Sequence, residues 1–393
     1  MKCEKPIGAR WFSGIVAACL GLALAGCSGG MMATNTTPPP AMQSANLAFV
    51  TNMNSNTVSA FRVDPTSGGL SPVAGSPFPT DSGPEFLAVA AGGKFLFVGN
   101  AGSNTLSAFQ IDAASGALTP VLGSPFVSGA RPEGVAVDPM GRFVFVGNQA
   151  SSSISVFSIS SNGALTPVPG SPFAANNPFE LVTNPSGTIL FVNNFPDSMV
   201  SDFNTVSAFQ ISSNGMLTAV PASPFPTANS SGFASSIGLA ADSAGKFLFV
   251  ADHMAQAIVP FNIDPASGAL TPASTLPTPP SSCGVSCHNN PLRLAVHPND
   301  QFVYATNVQS GTVSAFSIVT GGLSPIAEFP TGQHPFGVAL DPKGNFLYIV
   351  NKVDNNISVF SVNAANGLLS PVSGSPFPSG GSGPVGIAIV PKP

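Results

Sequence analysis

The chain has 393 residues and a formal net charge of −5, and Asp, Glu, Lys and Arg together make up only 7% of it. Its 41 Gly and 40 Pro residues leave little room for long helices, which excludes a helical bundle, a coiled coil and a helix-rich α/β enzyme. Hydrophobic residues reach 44%, enough for a large core, so the composition predicts many short strands joined by turns.

Residues 1–26 have the pattern of a lipoprotein signal peptide. Lys2, Lys5 and Arg10 precede an uncharged apolar stretch that ends in Leu-Ala-Gly-Cys at Cys27. This stretch is shorter than the about 20 residues that a membrane-spanning helix needs. The ending resembles a bacterial lipobox, and this resemblance implies that the thiol of Cys27 is lipidated. The alternative is an ordinary secreted protein or an uncleaved anchor.

The segment that follows, residues 27–44, is rich in Pro, Thr, Ser and Gly and predicts a flexible tether behind the lipid. Ser28, rather than Asp, follows the cysteine, which favours the outer membrane or the periplasmic face over the inner membrane. Residues 1–26 carry a net charge of +2, so their removal changes the net charge from −5 to −7. We therefore predict an extracytoplasmic, lipid-anchored protein of the bacterial envelope that does not bind nucleic acid.

Residues 45–393 contain an internal repeat of about 50 residues. A segment Ser-Asn-Thr-Val-Ser-Ala-Phe ends at Phe61, and its six echoes end at Phe109, Phe157, Phe209, Phe261, Phe316 and Phe360. Seven copies with this period are typical of propeller blades rather than of a helical solenoid.

Each repeat predicts four strands, as the third copy shows. Its first strand begins near Gly134, the second covers Phe143–Asn148, the third covers Ser153–Ile159 and the fourth covers residues 164–168. The second strand is apolar on both faces, as a strand buried between two blades would be. The proline within the fourth strand places that strand at the edge of its sheet.

The two ends of the repeat region complement each other. The first copy begins at Ala45 without an opening strand, whereas residues 386–391 form an extra strand at the C-terminus. We therefore predict an all-β, seven-bladed β-propeller of four-stranded antiparallel blades, closed by a C-terminal strand that completes blade one.

Two motifs carry a family resemblance over residues 45–393. Strand ends such as Phe49-Val-Thr-Asn52 resemble the Tyr-Val-Thr-Asn repeat of bacterial surface propellers. Units such as Asp341-Pro-Lys-Gly-Asn-Phe-Leu347 resemble the lactonase-type propellers, which include propeller 6-phosphogluconolactonases. The resemblance implies a propeller fold and, by extension, hydrolysis of a lactone.

Blade six departs from the pattern of that family. One link between blades in the family typically reads Pro-Arg-His, and the next turn reads Phe-His-Pro. Here Leu292 and Arg293 stand where the family has Arg and His, and His297 matches the turn histidine. The departure removes a potential clamp for an oxyanion or a phosphate, so it weighs against lactone hydrolysis. We expect His297, in a turn on the opposite face, to be structural.

Charged residues cluster in the links that precede the first strands, on the face where propellers bind ligands. Blades two to four contribute Glu85, Glu133 and Glu180; Arg131 lies beside them, and we expect Arg293 roughly opposite. His334 occupies the corresponding link of blade seven. The alternative is that these charges bind no ligand and are solvated loop residues that form local ion pairs.

Two functions are compatible with this pattern. The first, which the sequence favours, is a scaffold whose channel mouth binds an envelope protein or a glycan. The second is hydrolysis of a small lactone, with Glu85 or Glu133 as general base and Arg131 or Arg293 stabilising the oxyanion. Catalysis requires these charges to converge on one small cavity, whereas a scaffold leaves them spread. We predict a monomer without a cofactor or a metal.

Cys283 and Cys287 remain as a pair once the signal peptide is removed and Cys27 is lipidated, and His288 follows them directly. An oxidising compartment favours a small disulfide loop, which would shape the channel mouth together with His288. Covalent haem attachment normally requires Cys-x₂-Cys-His, and zinc would require two more ligands. Residues 195–202 and 274–291 interrupt the repeat and are typical of loops that carry features specific to one propeller.

Overall fold

A computed structural model describes residues 46–195, 205–227, 236–253, 256–273, 290–319 and 322–391. These residues form seven antiparallel sheets, and the innermost strand of each contacts its counterparts in the two neighbouring sheets, so that the sheets close into a ring. The predicted all-β, seven-bladed propeller is confirmed. Within these ranges, no helix is long and apolar enough to cross a membrane.

The strands are numbered in chain order. Blade one contains β1 Asn46–Asn52, β2 Thr57–Val63, β3 Leu70–Pro72 and β4 Phe78–Pro79; blade two contains β5 Pro84–Val89, β6 Phe95–Asn100, β7 Thr105–Ile111, β8 Leu118–Pro120 and β9 Phe126–Val127. Blade three contains β10 Pro132–Val137, β11 Phe143–Asn148, β12 Ser153–Ile159, β13 Leu165–Pro167 and β14 Phe173–Ala174. Blade four contains β15 Pro178–Thr183, β16 Ile189–Asn194, β17 Thr205–Ile211, β18 Leu217–Ala219 and β19 Phe225–Pro226.

The remaining blades follow the same order. Blade five contains β20 Ser236–Ala241, β21 Phe247–Asp252, β22 Ala257–Ile263 and β23 Leu270–Pro272; blade six contains β24 Pro291–Val296, β25 Phe302–Asn307, β26 Thr312–Val319 and β27 Gly322–Pro330. Blade seven contains β28 Pro335–Leu340, β29 Phe346–Asn351, β30 Asn356–Val362, β31 Leu369–Pro371 and β32 Phe377–Pro378, and the last strand is β33 Pro384–Val390. A single 3₁₀ turn is described, at Ala91–Gly93.

The hydrophobic core consists of layers between adjacent blades. Every residue of β11 is buried, because its apolar side chains on one face meet blade two and those on the other face meet blade four. In one layer, Phe145 and Ile154 of blade three pack with Leu190 and Val192 of blade four. The second strands are apolar on both faces because both faces are covered.

The fourth strand of most blades is broken into two short pieces. In blade three, β13 and β14 both pair with β12, and Gly-Ser-Pro-Phe forms the corner between them. The hydroxyl of Ser171 in this corner accepts a hydrogen bond of 2.9 Å from the amide of Val156. The equivalent serines of blades one, two, four and seven accept the same bond, namely Ser76, Ser124, Ser223 and Ser375. The serine of the repeated motif therefore accepts a hydrogen bond from an amide of the third strand, at the point where the fourth strand turns away and no longer pairs with it.

The C-terminal strand closes the ring as predicted. β33 pairs antiparallel with β1, with Leu47 opposite Val390 and Val50 opposite Ile387. Ile389 packs in the layer between blades one and seven, and Val390 packs in the layer between blades one and two. One strand from the end of the chain thus completes both interfaces of the first blade.

We expect a chain that ends at Gly383 to lose its cooperative thermal unfolding transition. The truncation removes the strand ladder to β1 and the burial of Ile387, Ile389 and Val390. At about 1.5–3 kcal/mol for each buried aliphatic side chain, this loss is comparable to the stability of a whole domain. Circular dichroism during heating measures it, with a chain that ends at Pro391 as the matched control. Equal transitions for the two chains would contradict the role of β33 in closure.

Candidate functional site

The links between blades share one backbone design. The residue before each link proline has a positive φ of 41–66°, in Gly83, Arg131, Asn177, Asn290, His334 and Gly383. After the proline, the pairing of the innermost strand with the second strand is shifted by a bulge, which leaves two residues without a paired partner in blades two, four, six and seven and one in blade three. The two residues that follow the proline are called the first and the second bulge position. The left-handed conformation suits Gly and Asn, so Arg131 and His334 occupy it at a conformational cost.

Glu85 and Glu133, which occupy the first bulge position of blades two and three, form a carboxyl pair. Both are buried, and Glu133 is only 1% exposed. The Nε of Arg131 lies 2.6 Å from Oε1 of Glu133, while the Arg131 side chain remains more than half exposed. The main-chain amide of Arg131 donates to Oδ1 of Asn104 at 2.8 Å, which holds the strained residue in place.

The pKa of Glu133 is raised from its ordinary value of 4.5 to about 8, first by burial and then by a hydrogen bond with Glu85 and by the charge of Glu85. The cation of Arg131 acts in the opposite direction but does not outweigh these effects. At neutral pH Glu133 therefore holds a proton next to a second carboxyl group. Two carboxyl groups in unlike environments are the arrangement that acid–base catalysis requires.

Arg293 forms a second group with Glu180. Its Nη1 donates to Oε2 of Glu180 and to the carbonyl oxygen of Ile237, both at 2.8 Å. Its guanidinium carbon lies 4.1 Å from the ring centre of Phe86 and 5.1 Å from that of Phe179. Arg293 belongs to blade six and these partners belong to blades two, four and five, so its side chain reaches across the channel.

The second bulge position alternates between large and small residues around the ring. Blades two, four and six carry Phe86, Glu180 and Arg293, whereas the other four carry Gly134, Gly238, Gly337 and Gly386. A Cβ at Gly134 would collide with the carbonyl oxygen of Phe179. We call Phe86, Glu180 and Arg293 the channel trio, because their side chains fill the space that the glycines leave.

Aromatic rings line the mouth beside this trio. The ring centres of Phe86 and Phe179 are 6.0 Å apart, and those of Phe179 and Phe195 are 5.4 Å apart. On the other side, Nζ of Lys352 lies 5.0 Å from the ring centre of Phe336. The mouth therefore offers a mainly apolar floor next to the buried carboxyl pair.

The predicted site residues thus fall into two groups rather than one. Glu85, Glu133 and Arg131 lie together, and Glu180 lies with Arg293 inside the channel. His334 is exposed at the rim. His297 is buried in its turn, where its Nε2 lies 3.0 Å from the carbonyl oxygen of Gly344.

The predictions for residues 1–44, for Cys283, Cys287 and His288, and for most of residues 195–202 and 274–291 lie outside the described residues. Sequence reasoning missed the phenylalanines of the mouth. For Phe86 the signal was available, because aligning the links shows Phe86, Glu180 and Arg293 where the other blades have glycine.

A family model described as "Lactonase, 7-bladed beta-propeller" matches residues 40–131, 124–220 and 182–383, which together cover most of the chain. The chain belongs to this family. None of the curated proteins matches it.

Solved structures resemble this lactonase-family propeller in fold. A putative 6-phosphogluconolactonase from Bacteroides uniformis is 21% identical with a TM-score of 0.73, over 88% of this chain and all of its own. A putative 6-phosphogluconolactonase from Bacteroides fragilis is 22% identical with a TM-score of 0.73, over 90% of this chain and 99% of its own. A periplasmic gluconolactonase from Pseudomonas aeruginosa is 18% identical with a TM-score of 0.72, over 89% of this chain and 99% of its own. At these identities the likeness establishes the fold alone.

Glu133 should make the stability of the protein depend on pH. Its pKa is raised in the folded state, so the unfolded chain releases the proton first and stability is lost as the pH rises from about 4.5 to 8. We expect Glu133→Gln to remove this loss, on the order of 3 kcal/mol at pH 8 relative to pH 5. Chemical denaturation across this pH range measures it.

The matched control is Asp64→Asn. Hydrogen bonds from the amides of Ser67 and Thr66 lower the pKa of Asp64, so its contribution is present above its ordinary pKa and is lost only at lower pH. Between pH 5 and 8, the free energy of unfolding of Asp64→Asn should therefore change with pH as that of the wild type does. If the free energy of unfolding of Glu133→Gln also changed with pH as that of the wild type does, Glu133 would not be protonated in the folded protein.

Proposed function

We propose that this protein hydrolyses a lactone, with the Glu85–Glu133 pair and Arg131 at the channel mouth as its catalytic group. The observation that carries the proposal is the convergence of two buried carboxyl groups and one partly exposed cation at the starts of adjacent strands. The positive φ of Arg131 supports this proposal. Most of the other links have Gly or Asn at the equivalent position, where this backbone conformation costs little. Backbone strain of this kind persists mainly where function requires a particular side chain.

Each of these three side chains has a separate role in the proposed reaction. Glu85 accepts a proton from water, and the hydroxide oxygen forms a bond to the carbonyl carbon of the lactone. The guanidinium of Arg131, which solvent can reach, stabilises the oxyanion that develops, and protonation of Glu133 leaves the charge of that guanidinium available for the oxyanion. When the intermediate collapses, the bond between the acyl carbon and the ring oxygen breaks, and Glu85 returns its proton to that oxygen. The product is a hydroxy acid, which releases one proton to solvent at neutral pH.

The alternative, a binding scaffold, predicts rim charges that are spread and open. In the described part of the chain, Glu85, Glu133 and Arg293 are instead buried, and Glu180, whose side chain is 19% exposed, pairs with Arg293. This grouping of charges away from water costs free energy and is typical of a functional site. Family membership and the names of the three similar structures support the hydrolase over the scaffold.

Acid release from a panel of sugar lactones and aliphatic lactones, followed by pH-stat on the full-length protein, tests this proposal. We expect Glu85→Gln to lower kcat/KM by about 10²–10⁴-fold, since it removes the base. Arg131→Asn should lower it by about 10²-fold without loss of stability, because Asn suits the left-handed backbone. Glu133→Gln should remove the fall in activity above about pH 8 that deprotonation of Glu133 causes.

Arg142→Gln is the matched control for Arg131. Arg142 pairs with Asp138 at 2.7 Å just beyond the opposite end of β10, so its replacement should leave turnover unchanged. Turnover that Glu85→Gln and Arg131→Asn leave intact would rule out this catalytic group. An absence of turnover on every lactone would favour the scaffold, and the search would move to envelope proteins and glycans that the folded protein retains.

We also propose that the chain is tethered to the envelope by lipid on Cys27 and faces the periplasm. The basic residues, the apolar stretch and the Leu-Ala-Gly-Cys ending support this, and one similar structure is named as a periplasmic enzyme. Metabolic labelling with palmitate in a bacterial host should mark the wild type and not a Cys27→Ser variant. Equal labelling of both, or of neither, would contradict lipidation at Cys27.

A further inference from the structure

Four phenylalanines from three blades lie at the channel mouth. Phe86 lies in β5, Phe179 in β15 and Phe336 in β28, and Phe195 directly follows β16. All four residues are half-buried, so each keeps part of its surface exposed to the water of the channel and its mouth. Aromatic side chains grouped in this way are typical of the lining of a small-molecule site.

Three of these rings surround the guanidinium of Arg293. Its central carbon lies 4.1 Å from the ring centre of Phe86, 5.1 Å from that of Phe179 and 5.6 Å from that of Phe336. Arg293 is only 4% exposed, and it is paired with Glu180 at 2.8 Å. Because the rings are partly exposed and the guanidinium is not, a molecule that enters the mouth meets phenyl rings rather than this ion pair.

The first bulge positions give the mouth one polar side. Blades two and three have Glu85 and Glu133 there, whereas the corresponding residues of the other five blades are apolar, namely Phe179, Ile237, Leu292, Phe336 and Val385. A hydroxyl group pressed against this apolar side would lose its hydrogen bonds to water without replacement. A lactone whose ester group lies at the carboxyl pair would therefore place its remaining atoms against hydrocarbon.

The arrangement of charge at the mouth disfavours a phosphorylated lactone. Arg131 and Arg293 are each paired with a glutamate already. Lys352 and His334 belong to blade seven, which blade one separates from the carboxyl pair. Glu85 must be ionised to act as a base, and its negative charge would repel a phosphate. The charges thus favour a neutral substrate.

We propose that the lactone hydrolysed at this mouth carries an apolar substituent, an alkyl chain or an aryl ring, which packs on Phe86, Phe179, Phe195 and Phe336. Each methylene group that packs on these rings should raise kcat/KM about two- to fourfold. Sugar lactones and their phosphates are then poor substrates. The inference rests on the proposed hydrolysis for its reaction, whereas the apolar side of the mouth exists without it.

A series of six-membered lactones tests this substrate class on the full-length protein, with acid release followed by pH-stat. δ-Nonalactone carries a butyl group that δ-valerolactone lacks, and glucono-δ-lactone carries hydroxyl groups instead. Each kcat/KM is divided by the rate constant of the same lactone with hydroxide, which removes differences in ring reactivity. We expect the resulting ratio to be about tenfold or more higher for δ-nonalactone than for δ-valerolactone, and lowest for glucono-δ-lactone and its phosphate.

Serine variants test the location of the apolar side. Phe179→Ser removes a ring between Phe86 and Phe195, so it should lower the preference for δ-nonalactone over δ-valerolactone by about three- to tenfold. Phe336→Ser should lower the preference from the side of blade seven. Phe126→Ser is the matched control, because Phe126 is half-buried in the outer strand β9, and it should keep the preference. Thermal unfolding establishes that each variant folds, and the wild-type series decides the substrate class if none does.

The outcomes separate this inference from the proposed hydrolysis. Equal ratios for δ-nonalactone and δ-valerolactone, or a higher ratio for a sugar lactone, would overturn the apolar substrate class and leave hydrolysis intact. An unchanged preference in both Phe179→Ser and Phe336→Ser would overturn its assignment to these rings. If no lactone is hydrolysed, isothermal titration with δ-valerolactam and its butyl-substituted form tests binding alone. Binding of the butyl form that is about tenfold tighter would support the apolar site, and equal binding would overturn it together with the hydrolysis.

Discussion

The convergence of seven innermost strands on one axis is the constraint on which the site depends. The inner strands approach so closely that a Cβ at Gly134 or Gly238 would collide with a carbonyl oxygen of the next blade. Only three of the seven second bulge positions carry a side chain, and those three form the channel trio. The same repeat that builds a uniform ring thus leaves room for a small, asymmetric set of functional groups at its centre.

The burial of charged side chains is a second feature on which the site depends. In a chain with few charged residues, Glu133, Glu180 and Arg293 are placed where water is largely excluded, and desolvation raises the pKa of the two carboxyl groups. Each carboxyl group has an arginine partner, at 2.6 Å for Glu133 and 2.8 Å for Glu180. Buried ion pairs contribute little net stability, so a structural role alone accounts poorly for them.

The two groups differ in what they can do. The Glu85–Glu133 pair combines a protonated acid with a neighbouring base and an arginine that solvent can reach, which suits proton transfer to and from a bound ester. The channel trio holds its arginine among aromatic side chains, where Arg293 is paired with Glu180 at 2.8 Å and solvent hardly reaches it.

The sequence alone determined the fold, because the strands of each blade follow from the residue pattern within one repeat and the number of blades follows from the spacing of the repeats. The strands Phe143–Asn148 and Ser153–Ile159 were predicted to the residue, and the missing first strand at Ala45 predicted closure by β33. The sequence also identified Glu85, Glu133, Glu180, Arg131 and Arg293 as charges of the blade links. Which of these meet was decided only by the tertiary structure, since the pairing of Arg293 with Glu180 and the approach of Phe86 join blades far apart along the chain. Side-chain burial across the channel raises the pKa of Glu133 and leaves Nε and Nη2 of Arg293 without a hydrogen-bond partner in the described part of the chain. This burial arises only when all seven blades surround the axis.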